Sequence, residues 1–572
     1  MMAGAVSISL VPDMVGAGAR RLFAPFRIAW RRSWFYRRRL KGQLSDHLVF
    51  HPHDALARKL EEADALLRGR FRFHGEVVDV PAGQSVFDLK SPSPGWAESL
   101  NSFAWLPPLA LAGGDAARTL ATNLIAQWIK RNGGYSEPNW LPHLIARRLM
   151  RLFSHGRLVV VNSDMMWRSK LFVSLRGQSR MLERISHEAP DGLPRLEAAA
   201  ALALSGVCLD DSSGRLELGL KRLEQECQRQ ILPDGGHVSR SPETLLNAYR
   251  CLTMVTDSLS AVNVEPPHGL RNARDRMAPM LRFFRHGDGG LALFHGGQES
   301  DPRMIAGLLA RDDVRGQPFA HARHSGYQRL AAGRSILQLD CGGVPQGDFS
   351  RGAHAGFLAF ELSSGAGRLV VNCGAGGTDH AGWATALRAT AAHSTLTLAD
   401  VSAAPILPPG LARDLLGPRL TGGPSPPVSQ RSETAQGWMV EAAHDAYVPQ
   451  FGLIHERRII MSPQGLMVTG ADRLVAPDAK RGEKTPAGTL AFAVRFHIHP
   501  DVRVSRLEGG GILLKLPGGE GWRFRAGGGE ISVEQSIYLG SGVMRRAEQL
   551  VISGALKQSP AEVAWVFEQI AV

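Results

Sequence analysis

The 572-residue sequence is short of the features that announce a chemistry. Its five cysteines, Cys208, Cys227, Cys251, Cys341 and Cys373, are odd in number and show no CxxC spacing. Neither a zinc ribbon nor a disulfide framework is indicated; they read as buried, inert thiols, which a reducing compartment allows. No window of about 18 apolar residues is present, so a membrane span is not expected. The weakly apolar stretch ahead of the first arginines is broken by Pro12 and Asp13, and no secretory signal is recognisable. No G-x-S-x-G elbow follows a strand: GSG at Gly540 to Gly542 lacks the flanking pattern of an α/β-hydrolase. The run Gly374 to Gly377 lacks the Lys and Ser/Thr of a phosphate loop and no helix follows it, so nucleotide chemistry is unsupported. No fixed-period repeat argues for a solenoid.

What is present is the composition of a folded protein, 44% hydrophobic and 21% charged, in a chain too long for one core. A net charge of +13 favours an acidic partner: nucleic acid, anionic lipid or anionic polysaccharide. The surplus is local, because Arg20 to Lys41 holds nine Lys or Arg and no acid. Aromatics interleave with those arginines. One reading is a leading helix whose apolar residues dock on the first domain while its arginines stay solvated. Another is contact with a membrane surface or a nucleic-acid backbone.

Two textures follow. From about Trp96 to Phe284 apolar residues recur at helical spacing, as in Leu120, Leu124, Ile125, Trp128 and Ile129. Helices joined by short Pro- and Gly-bearing loops pack as antiparallel hairpins and curl into a toroid around a cleft. Past Ser325 the runs are short, at period two or fully apolar: ILQLD (336–340), FLAFEL (357–362), RLVVN (368–372), STLTL (394–398) and GILLKL (511–516). They predict an antiparallel β-sandwich. The expected division is a basic segment 1–45, a helical domain 46–324 and a β-domain 325–572. Pro405 to Pro427 and Asp478 to Pro486 read as surface loops.

Candidate chemistry is sparse. In QILPDGGHVSRSPETL (230–245) a Pro-Asp-Gly-Gly turn presents His237 and Arg240 just before a helix that Ser241 and Pro242 start. An imidazole and a fixed guanidinium suit proton abstraction beside an anionic sugar; a hydrogen-bonded structural turn fits equally. His354 and His393 lie beside strands with Asn372 between them, a possible three-ligand metal site. His497 and His499 project to one face of a strand without a third ligand nearby.

The order of motifs LNSFAWLPPL (100–109), QILPDGGHVSRSP (230–242), SGYQRL (325–330), HAGFLAFELSSGAGRLVVNCG (354–374), RATAAHSTLTL (388–398), VRFHIHP (494–500) and QSIYLG (535–540) resembles the heparinase II/III family of polysaccharide lyases. The resemblance implies an N-terminal α/α toroid followed by an antiparallel β-sandwich, cleaving acidic, uronate-containing glycans by β-elimination. It also implies a divalent metal such as zinc on His354, Asn372 and His393, and a place in the cell envelope or periplasm, although the missing signal leaves the cytoplasm open. No specific nucleic-acid partner is expected. The family's first motif histidine falls on Gly352 and its motif Asp on Gly356. Its Asn-His pair falls on Leu193 and Pro194, and its Tyr on Thr244. His187, Arg195, His237, Arg240 and Tyr249 remain nearby, with His237 and Arg240 the catalytic candidates. The alternative is a catalytically degenerate glycan-binding or scaffold protein on the same fold.

Overall fold

A computed structural model describes residues 10–40, 47–55, 60–210, 214–311, 318–375, 381–425, 427–477, 489–556 and 561–570. Lys41 and the loop expected at Asp478 to Pro486 lie outside the described residues.

The first part is helical, with its last helix at Pro302–Leu309. Its helices begin where the sequence supplies caps. Ser93, Asp164, Ser241 and Asp301 each accept backbone N–H groups of the first turn, and Pro follows three of them. At the centre lies Leu193–Cys208, whose LEAAAALALSGVC run is buried on every side, as expected of a helix apolar all round. Its small residues let Arg215–Gln230 approach backbone to backbone. A Cβ on Gly219 would sit 2.3 Å from Ala203 N, and one on Gly206 2.5 Å from Leu216 N. Near the LNSFAW stretch, Arg148 is fully buried, 4.1 Å from the Trp128 ring centre. It donates to Gln178 Oε1 and the Asn101 carbonyl, both at 2.7 Å. Burial pulls its pKa down to about 9.

The second part is two antiparallel sheets. One runs in space from Arg503–Arg506 through Ala561–Ile570 and Ile454–Met461 to Val428–Thr434; the other runs from Glu530–Tyr538 through Leu490–Ile498 and Phe360–Ser364 to His321–Ala322. Ile454–Met461 alternates buried and exposed positions, the period of a half-buried strand. The inner faces meet in aromatic contact, Phe360 stacked on Trp565 at 5.4 Å and Phe496 edge-on to it at 5.1 Å. A toroid followed by a sandwich is therefore the architecture.

The run FLAFEL becomes a strand only at Phe360. Leu358 takes φ 57° to donate its N–H to the Asp340 carbonyl at 2.8 Å, turning the chain so that residues 353–357 leave the sheet.

The N-terminal helix Val11–Arg32 reverses the orientation expected of a docked leading helix. Ala17 packs on Leu407 and Leu416 with Met14 beside it, Asp13 accepts from Arg419 at 2.6 Å, and Arg31 is buried against Glu188 and Tyr135. Of its large apolar side chains Ile28 packs on the helical core, as Tyr36 does beyond the helix end, while Val15, Leu22, Phe23, Phe26 and Trp30 face outward. Ala17, Met14, Ile28 and the ion pairs of Asp13 and Arg31 make up the docking face.

Candidate functional site

The Pro-Asp-Gly-Gly turn is a fastener between the two parts. Asp234 accepts the backbone N–H groups of His324 and Ser325 at 2.9 and 2.7 Å and the Ser325 hydroxyl at 2.8 Å. Gly235 holds φ +85°, and a Cβ there would meet the Arg276 carbonyl oxygen at 1.9 Å, so only glycine lets the turn lie this close.

His237 is buried with both nitrogens bonded. Nδ1 accepts the Ser239 N–H at 3.0 Å, so the proton sits on Nε2, which donates to Gln230 Oε1 at 2.9 Å. Burial pulls its pKa down to about 3. Phe349 of the sandwich lies against Gly192 and edge-on to His237 at 6.2 Å, filling the crevice with an aromatic ring.

Arg240 takes φ 62° and spends its guanidinium across the junction. It donates to Ser325 O at 2.8 Å, Gly343 O at 2.9 Å, Gly326 O at 3.3 Å and the Asp340 carboxylate, and lies 4.7 Å from the Tyr327 ring centre. A Cβ on Gly342 would fall 2.2 Å from Arg240 Cζ, so that glycine makes the guanidinium's room. Burial pushes the Asp340 carboxyl up, but Arg240 and His295 outweigh it and hold it below the usual carboxylate range. His295 donates from Nε2 to Asp340 at 3.0 Å and accepts the His354 N–H on Nδ1 at 3.2 Å.

The network continues to the opening motif. His393 Nδ1 donates to Ala389 O at 2.9 Å, which leaves Nε2 to accept from His354 Nδ1 at 3.1 Å. Burial holds His354 well below an ordinary imidazole and brings His393 to about 4. Asn372 accepts the Ser394 N–H at 3.1 Å and donates to Glu361 at 3.0 Å. Glu361 also receives His286 at 3.0 Å and the Leu293 N–H at 3.1 Å.

The donor set does not fit a resident divalent cation. The two imidazole nitrogens are spent on each other, and the third donor is a neutral amide whose oxygen is already engaged. Among the described residues no group of three or more His, Cys, Asp or Glu side chains could hold a metal ion.

The positions where the resemblance places chemistry carry none. Gly352 is exposed with nothing within 4 Å of a would-be Cβ, whereas a Cβ on Gly356 would strike His393 Cδ2 at 2.6 Å. Leu193 and Pro194 open the buried helix, and Thr244 donates its N–H to the Ser241 cap. Arg195 is held by Ala189 O and Asp191, Tyr249 is buried, and only His187 of this group is exposed. His497 and His499 serve separate contacts, the first with Ser536 at 2.8 Å, the second facing Glu299 at 3.5 Å. Sequence reasoning missed Asp340, Glu361, His286 and His295; the one local signal was an acid inside the apolar run FLAFEL.

Residues 314–566 match the family described as Heparinase II/III-like, C-terminal. The chain is 32% identical over 544 residues to FtsZ-localized protein C of Caulobacter vibrioides, covering 93% of each. Among solved structures it resembles heparinase III at TM-score 0.65 and 13% identity, over 98% of this chain and 91% of that one. It also resembles a mutant of the heparan sulfate lyase HepC from Pedobacter heparinus at 0.57 and 17%, over 99% and 92%. With the C-terminal match, a near full-length relative and a shared toroid-and-sandwich fold, the chain belongs to the heparinase II/III-like family.

Proposed function

We propose that the chain is a lyase-fold body without elimination chemistry, working as a scaffold that binds and does not turn over what it holds. The observation that carries this is the state of the junction: the imidazoles of His237, His295, His354 and His393 are buried, bonded and held neutral. A general base needs a free lone pair and a pKa near the working pH; the lone pairs of His237, His295 and His393 are taken by hydrogen bonds, and burial holds His354 well below an ordinary imidazole. Arg240, with every donor group committed inside the protein, has none left for a uronate.

The ligand class that the fold supports is an acidic polysaccharide. A cavity of about 900 Å³ on the helical part, lined by Arg68, Arg70, Arg72, Phe73 and His74 together with the acids Glu61, Glu62 and Asp79, offers it guanidinium groups and a ring. Arg70 is paired with Asp79 at 2.8 Å, while Arg68 and Arg72 carry no ion pair among the described residues. The relative named for its localisation with FtsZ supports a positional role. The test is a fluorescent fusion imaged with FtsZ in the native cell, beside binding to immobilised heparan sulfate. Co-localisation with FtsZ and retention without shortening of the sugar support the scaffold reading. Diffuse fluorescence, or steady release of unsaturated oligosaccharides, sinks it.

A second reading rests on Glu243, in the first turn of Pro242–Ala261. Burial pushes its carboxyl up to about 7 against the opposing Gln298 N–H, a value suited to proton transfer. On that reading Glu243→Gln abolishes a uronate-lyase activity that the unaltered protein displays.

A further inference from the structure

The outward face of the N-terminal helix is an apolar surface that the scaffold reading does not use. Along Val11–Arg32, Val15 is 67% exposed, Leu22 69%, Phe23 62%, Phe26 75% and Trp30 50%. At 100° per residue these side chains, with Val11 and Ala19, fall in one arc of about 120°. In the following turn, Trp34–Arg38, Trp34 and Phe35 are also 61% and 66% exposed. Six large apolar side chains, Val11 included, in a single arc of one helix is far from the scattered exposure usual on a soluble surface.

The stripe is framed by charge. Arg20 flanks it on one side and Arg21 and Arg32 on the other, all exposed, with Arg38 and Arg39 beyond the helix end. The one acid between Val11 and Leu40, Asp13, is taken by Arg419. The opposite face is fixed to both parts of the molecule, through Ala17 on Leu416 and Arg31 on Glu188 and Tyr135. The stripe is thus held by a helix anchored to both parts.

We infer that this face docks on an anionic lipid bilayer, the helix lying flat with Leu22, Phe26 and Trp30 in the acyl boundary and the arginines among the headgroups. An apolar arc with Arg at its edges and Trp at its end matches an interfacial helix. A second copy of the chain would bring the two arginine rims together with no acids to offset them. A nucleic-acid backbone would leave the apolar arc, which is the most exposed part, facing water.

The test uses the full-length protein, sedimented with vesicles of phosphatidylcholine alone or mixed with phosphatidylglycerol. The unaltered chain pellets with the mixed vesicles, and high salt or the neutral vesicles weaken this at least tenfold. Leu22→Glu/Phe26→Glu loses about a hundredfold in partition, since each side chain moved into hydrocarbon is worth roughly tenfold or more. It melts at the unaltered temperature, because neither side chain is packed. Arg20→Glu/Arg21→Glu weakens binding to mixed vesicles alone. The inference is overturned if the unaltered chain stays in solution with mixed vesicles, or if Leu22→Glu/Phe26→Glu binds as well as it does. It is also overturned if the chain forms dimers that this double substitution dissolves, or if a duplex oligonucleotide is bound more tightly than the mixed vesicles.

Discussion

Replacing Arg240 by Met separates a fastener from a catalytic group. The substitution keeps most of the apolar stem and removes the guanidinium from Asp340, which is 1% exposed, and from the carbonyls of Ser325, Gly326 and Gly343. Breaking a buried ion pair by deleting one partner costs roughly 3–5 kcal/mol. Asp340 keeps two donors, His295 Nε2–H and the Gly342 N–H, each at 3.0 Å. That places the loss at the lower end, about 3 kcal/mol. The assay is a urea titration read as a shift in midpoint. Arg240→Met/Asp340→Asn, which also removes the stranded charge, recovers about 1 kcal/mol or more relative to the sum of the single changes. The reasoning is refuted if Arg240→Met costs less than about 1 kcal/mol, or if the double variant is no better than additive.

Further outcomes follow from the same geometry. His237 and His393, held near about 3 and about 4, sit below the 6.5 of a free imidazole, so the unfolded chain takes up protons first as the pH falls. Stability is therefore full above about 6.5 and drops between there and about 3, measurable as a falling urea midpoint; a flat profile over that window contradicts their buried, neutral state. Asn372→Asp sets a second carboxylate 3.0 Å from Glu361, and we expect destabilisation at neutral pH that lessens on acidification, with no thermal shift of the unaltered protein on adding zinc or a chelator. Gly352→His with Thr244→Tyr folds, because nothing lies within 4 Å of the Gly352 Cβ position, yet yields no lyase activity, since His237 and Arg240 stay engaged.

The sequence carried the architecture because it changes period at one place, from the helical spacing around Leu124 and Trp128 to strand runs such as ILQLD. Family motifs fixed the neighbourhood of His354 and His393, which the fold brings into direct contact across 39 positions. The partners of those side chains were not legible. Asp340, Glu361 and His295 gain meaning only from tertiary approach, and a histidine near a turn reads the same whether its nitrogens are free or bonded. The first helix shows the same limit: periodicity finds two faces, but only tertiary approach shows that Ala17, Ile28 and Arg31 dock while Leu22, Phe26 and Trp30 face outward.

On the scaffold reading the lyase fold persists here with its junction turned into a fastener. Near-ultraviolet absorbance of the folded protein with a panel of uronate glycans, heparan sulfate among them, tests it most directly. No rise above the protein-free blank is expected on any glycan. A steady rise from unsaturated uronate ends, abolished by His237→Gln in a variant that keeps its thermal midpoint, would contradict it.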